Sequence, residues 1–187
     1  MVYRDTLSAL VRCLAADAID STAKQAWQKL YSAGYQVEPS GMGLPAEVMR
    51  DIDCWLHARL HSQLRPLHWN VLVAKYSTHK GRKVQAIAAA IPFVPSPAGR
   101  LFVQYAVTTW AIPKLKGVDG KRSTDMLVLP DSYYDMNRWE GEGRPEQTRN
   151  RWRRDIRNWL EGRVTEAVNH AHEVMAAEGL LIDNAAA

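Results

Sequence analysis

The 187 residues predict a mainly α-helical fold: a compact helical domain with a helix-turn-helix at its centre and a long C-terminal helix. Three observations carry this. Apolar residues recur at steps of three and four along most of the chain, the spacing that lines one face of a helix. The clearest case is residues 145–178, where Trp152, Ile156, Trp159, Leu160, Val164, Ala167, Ala171 and Met175 keep that spacing and Gly179 supplies the stop. Finally, 47% of the residues are apolar and seven are Trp, enough material for a buried core.

Taken in order, residues 3–16 read as a first helix with Leu7, Leu10, Val11 and Leu14 inward. Asp20-Ser21 opens a second, burying Ala23, Trp27, Leu30 and Tyr31 and ending at Gly34. Residues 38–45 hold Pro39, Gly41, Gly43 and Pro45 and read as a loop. A third helix spans 45–64, expected to bury Val48, Ile52, Trp55, Leu56 and Leu60, and Pro66 ends it. Helices over 67–76, 84–91 and 97–112 follow, separated by a basic turn and a proline-rich link. Residues 114–143 form an irregular connection in which 126–129 suits a short strand. The organisation is thus an N-terminal helical part (1–64), a helix-turn-helix region (65–116), and the connection with the long basic helix (117–187).

Composition narrows the function. No run of eighteen apolar residues suits a membrane span, and the first twenty residues lack the pattern of a secretory signal, so a cytoplasmic protein is expected. Cys13 and Cys54 are too few for a disulfide framework or a zinc module. The net charge is only +4, but the cations are clustered: seven arginines against three acids over 144–163, and four basic residues without an acid over 75–83. Such clusters attract phosphate and gain from releasing its counterions.

Between the clusters lies the candidate helix-turn-helix. Residues 84–91 are the scaffold, residues 92–97 the turn, and Ser96-Pro97 the start of a reading helix. That helix is expected to bury Leu101, Phe102, Tyr105, Thr109 and Ile112 and to present Gly99, Arg100, Val103, Gln104 and Thr108. Arg100, Gln104 and Thr108 are the expected base contacts, since Arg pairs with guanine, Gln with adenine, and a Thr methyl meets thymine. Lys75, Lys80, Arg82 and Lys83 are the expected phosphate contacts. The stretch 101–110, rich in β-branched and aromatic residues, equally fits a buried strand, and in that case these base contacts disappear.

The run Leu67-His-Trp-Asn-Val-Leu-Val-Ala-Lys-Tyr76, then Val84-Gln-Ala-Ile-Ala-Ala-Ala90 and a Ser-started helix, resembles the region-4-type helix-turn-helix of sigma factors. More particularly it resembles the smaller lambdoid phage late-gene antitermination Q proteins and related phage proteins, over residues 60–115. The resemblance implies binding to double-stranded DNA near a late promoter in a bacterial host, and loading onto RNA polymerase, with its sigma factor, to suppress termination. The proline-rich turn and the lack of a zinc-binding cysteine set depart from that pattern.

Arg149, Arg153 and Arg157, spaced by four, form a row suited to DNA or an acidic polymerase surface. Cys54, His57 and His61 share one helix face but lack a fourth ligand, so no metal and no cofactor are expected. Asp131, Asp135, Glu140 and Glu142 are the only candidates for a metal-dependent phage nuclease, and their loop setting favours local hydrogen bonding. The chain also lacks a phosphate loop, a nucleotide fingerprint and a nucleophile motif, so a binding protein is expected rather than an enzyme. A small-terminase-like packaging subunit, assembled as a ring, is the other binding role that fits; the oligomeric state is open.

Overall fold

A computed structural model describes residues 2–16, 46–114, 127–141 and 143–181. The expected helix from Asp20 and the loop over 38–45 lie outside the described residues. Those that are described form six α-helices: α1 Thr6–Ala16, α2 Ala46–Gln63, α3 Pro66–Tyr76, α4 Lys80–Ala90, α5 Arg100–Ala111 and α6 Glu146–Ala177. The expected mainly helical fold with a long last helix is the one observed.

The core has α3 at its centre, packed against α1, α2, α4, α5 and α6. A helix surrounded in this way must be apolar on every side, and His68, Val71, Leu72, Val73 and Ala74 are all buried. Pro66 starts it, where a missing N–H costs nothing. Ile156, Leu160, Val164, Ala167, Ala171 and Met175 of α6 form the stripe that its spacing predicts, with Trp152 and Trp159 half-buried at its edges. At 32 residues, α6 is about 48 Å long at 1.5 Å per residue.

The far end of α6 closes on the start of the chain. Gly179, at φ +65°, allows its own N–H to reach Ala176 O at 3.0 Å and that of Leu180 to reach Met175 O at 3.0 Å. These two bonds satisfy carbonyls that a helix end leaves open. The Leu180 carbonyl then accepts from Val2 N (2.7 Å) and Tyr3 N (2.9 Å), and Tyr3 pairs with Leu181 as an isolated parallel bridge.

A buried polar node lies beside this closure. The Asp53 carboxylate of α2 accepts from Tyr3 Oη at 2.7 Å and from the Arg12 guanidinium of α1, at 3.0 Å from Nη2. It joins the first helix, the second and the chain start in one contact. Burial, and after it the Asp53 charge, push the Tyr3 hydroxyl well above the ordinary tyrosine range.

Several expectations are corrected. On α2, Val48 and Trp55 are 42% and 47% exposed, and Met49 and Asp53 take the inward positions beside Leu56 and Leu60. Residues 127–129 form no strand, and Met126 lies outside the described residues. Helix α4 begins at Lys80 rather than Val84, because His79 Nδ1 accepts from Arg82 N at 3.2 Å and caps it. The stretch 101–110 is helical, not a strand, but α5 starts at Arg100 after Gly99 rather than at Pro97. Its buried face is the expected one at Phe102, Thr109 and Ile112, but Val103 is buried and Leu101 is 51% exposed, the reverse of the expectation.

The irregular connection is held by an aromatic group. Trp139 is fully buried, donates from Nε1 to Tyr133 O at 2.8 Å, and stacks on Tyr105 of α5 with centroids 6.0 Å apart. Phe102 meets both Trp139 (5.2 Å) and Trp152 of α6 (5.6 Å) edge-on, a favoured aromatic geometry.

Candidate nucleic-acid interface

The basic turn is held by several hydrogen bonds. Three residues, 77–79, join α3 to α4. Ser77 Oγ accepts from His79 N at 3.2 Å, and the side chain of His79 caps α4. Lys83 points back under this turn, its Nζ donating to the Lys75 carbonyl at 3.2 Å and the Ser77 carbonyl at 3.4 Å. Burial lowers its amine to about 8. Lys83 therefore ties the end of α3 to the start of α4, and its charge is spent inside the fold.

Lys75 is also engaged. It forms an ion pair with Glu161 of α6, whose other oxygen accepts from Trp110 Nε1 at 3.0 Å. Burial raises the Glu161 carboxyl, but the hydrogen bonds from Lys75 and Trp110, with the charges of Lys75 and Arg157, outweigh it and hold the group below its ordinary value. Of the four expected phosphate contacts, Lys80 and Arg82 remain on the surface. Arg82 donates from Nη1 to His57 Nε2 at 3.1 Å, which braces the guanidinium against α2.

On α5, Arg100 and Gln104 are exposed as expected, while Thr108 is half-buried and returns its hydroxyl to the Gln104 carbonyl at 2.7 Å. The arginine row of α6 divides by environment. Arg149 lies against the connection, donating from Nη1 to Asn137 Oδ1 at 2.9 Å and Met136 O at 3.2 Å, with Glu140 nearby. The Arg153 guanidinium lies 5.7 Å from the centre of the Trp139 ring, within cation–π range. Arg157 is exposed, as are Arg151 and Arg154.

The candidates for metal chemistry do not converge. Among the described residues no group of three His, Cys, Asp or Glu is placed to hold a metal ion. His57 and His61 both meet the Trp69 ring edge-on, at 4.9 and 5.1 Å, and Cys54 is exposed. Asp131 pairs with Lys114 at 3.0 Å, Asp135 accepts from Asn137 N at 3.1 Å, and Glu140 accepts from Arg144 N at 3.0 Å; Glu142 lies outside the described residues. His68 is buried on α3 with Nε2 3.6 Å from Glu166 Oε2; burial lowers its pKa, and Glu166 opposes that.

One signal in the sequence is stronger than either cluster taken alone. No Asp or Glu stands between Asp53 and Asp119, while nine Lys or Arg do. That acid-free segment contains all of α3, α4 and α5. With Lys75 and Lys83 turned inward, the cations on its α4–α5 surface are Lys80, Arg82 and Arg100. No protein-family model, no curated protein and no solved structure matches this chain.

Proposed function

We propose that this chain is a duplex-DNA-binding regulator of transcription, acting by binding rather than by catalysis. The supporting observation is the acid-free segment: α3, α4 and α5 contain no Asp or Glu, and α4 and α5 carry Lys80, Arg82 and Arg100 exposed. A segment that carries exposed cations and no acids of its own attracts a polyanion, through Coulomb attraction and counterion release. The resemblance of residues 60–115 to the antitermination Q proteins gives the regulator its class: a factor that loads onto RNA polymerase near a late promoter. Arg151, Arg154 and Arg157, exposed on α6, are the surface for polymerase or flanking DNA.

Duplex binding followed by fluorescence anisotropy tests the first part. Affinity falls steeply between about 50 and 200 mM salt, and Lys80→Ala or Arg100→Ala each lowers the log–log slope by about one. Affinity indifferent to salt, or unchanged slopes in both variants, refutes it. Transcription across a terminator tests the second part, and unchanged readthrough with the protein present refutes it.

A further inference from the structure

We propose that α4, and not α5, is the helix that lies against the bases, with Gln85 the residue that sets sequence preference. The inference rests on the duplex-DNA reading above and adds which helix reads and through which side chain.

The two helices differ in what their neighbours leave open. Helix α5 is enclosed: it packs on α3, α4 and α6, and Trp139 stacks on Tyr105 along a further side. Its exposed residues are Arg100, Leu101 and Gln104, all near its start, and Thr108 has given its hydroxyl to its own backbone. Helix α4 keeps one exposed face along its length. Lys80, Gly81, Val84, Gln85, Ala88 and Ala89 are all exposed, and their spacing by one and four places them on a single face opposite the buried Ala86, Ile87 and Ala90. A free face of this length lets a helix lie along a groove, with the residues of its first turns nearest the base edges.

The mounting of α4 also suits the task. A three-residue turn, pinned by Ser77, the cap of His79 and the buried Lys83 amine, fixes the direction in which α4 leaves α3. Helix α5 follows a link of nine residues, 91–99. A reading element has to be held rigidly, and the shorter, better bonded connection does so.

The charge pattern then selects the occupant. Lys80 and Arg82 stand at the start of α4 and Arg100 on α5, which packs against it, whereas Val84 and Gln85, further along the exposed face of α4, are uncharged. A major groove has the matching arrangement, with phosphates along its rims and neutral donors, acceptors and methyl groups on its floor. The Gln85 amide can bond adenine N6 and N7 together, and the Val84 methyl groups can meet a thymine methyl. Lys80 and Arg82 are then contacts to phosphate.

The test is selection of bound sequences from a randomised duplex pool by the full chain, comparing the unaltered protein with Gln85→Ala and Gln104→Ala. Both residues are exposed, and matching circular dichroism spectra establish that each variant is folded. The unaltered protein and Gln104→Ala are expected to select the same site. Gln85→Ala is expected to lose preference at one or two positions and to bind the selected site roughly 5- to 150-fold more weakly, the range for one bidentate base contact. Its salt slope stays unchanged, because no phosphate contact is removed. The proposal is overturned if Gln104→Ala loses the preference while Gln85→Ala keeps it, or if Gln85→Ala selects the same site with unchanged affinity. Duplex binding without any base preference overturns it as well but leaves the DNA-binding reading standing. Absence of duplex binding at low salt overturns that reading itself, and association with an acidic protein instead would identify the competing occupant.

Discussion

Replacing Asp53 by Ala tests the most consequential buried contact in the fold. Its carboxylate is 3% exposed and its partner Arg12 is 18% exposed, so neither group can recover water without local opening. The substitution removes the acceptor that the Arg12 guanidinium reaches at 3.0 Å from Nη2 and the Tyr3 hydroxyl at 2.7 Å. Removing one member of a buried pair typically costs about 3–5 kcal/mol, because the charge left behind has lost its compensation. With a urea slope of about 2 kcal/mol per molar, the midpoint falls by about 1.5–2.5 M. Adding Arg12→Met to Asp53→Ala removes the other member of the pair and recovers part of the loss, so the two substitutions are not additive. A midpoint shift below about 0.5 M, or full additivity, refutes the assignment of Asp53 as a compensated node. The same node has a pH signature. Tyr3 in the fold keeps its proton above the pH at which an unfolded tyrosine loses it, so its contribution is present below about pH 10 and is lost as pH rises beyond that.

Two further outcomes follow from buried groups outside this node. Lys83 titrates at about 8 in the fold against 10.5 ordinarily, so between those values the unfolded chain binds more protons and stability rises with pH, by about 3 kcal/mol at most. Urea midpoints measured from pH 8 to 10, below the Tyr3 transition, show this rise, and Lys83→Met abolishes it; a flat profile for the unaltered protein refutes the account. Trp139→Ala removes the fully buried side chain that joins the connection to α5 and α6, at a cost of about 3–5 kcal/mol. Thermal unfolding measures the loss, near-ultraviolet circular dichroism loses the Tyr105–Trp139 signal, and a cost below about 1 kcal/mol refutes the central role of the stack.

The elements legible in the sequence were those with one buried face. Helix α6 keeps its inward stripe from Ile156 to Met175 because its other sides are solvated and polar, so periodicity alone gives its phase, and Gly179 marks its end. Most of the phase of α5 was legible: Phe102, Thr109 and Ile112 face inward and Arg100 and Gln104 outward, as their spacing gives. Leu101 and Val103 were not, because both are apolar and composition does not choose between them; Val103 is the one packed inward. The start of α4 was missed for a local reason: the cap is an imidazole, a residue outside the usual Ser, Thr, Asp and Asn set, so Lys80 and Arg82 read as turn rather than helix. The acid-free run over three helices was available from the sequence and is independent of any fold.

By itself, the sequence determined the helical class, the long last helix with its inward stripe, and the concentration of positive charge over 54–118, because spacing and composition are properties of the chain alone. Which cations remain on the surface was decided only by the tertiary structure. Lys75 meets Glu161 from 86 residues away, Lys83 turns under the α3–α4 turn, and Arg149 closes on the connection, whereas Lys80, Arg82 and Arg100 stay exposed. A lysine's charge is written in the sequence, but whether that charge is compensated depends on neighbours that only packing brings within a few ångströms.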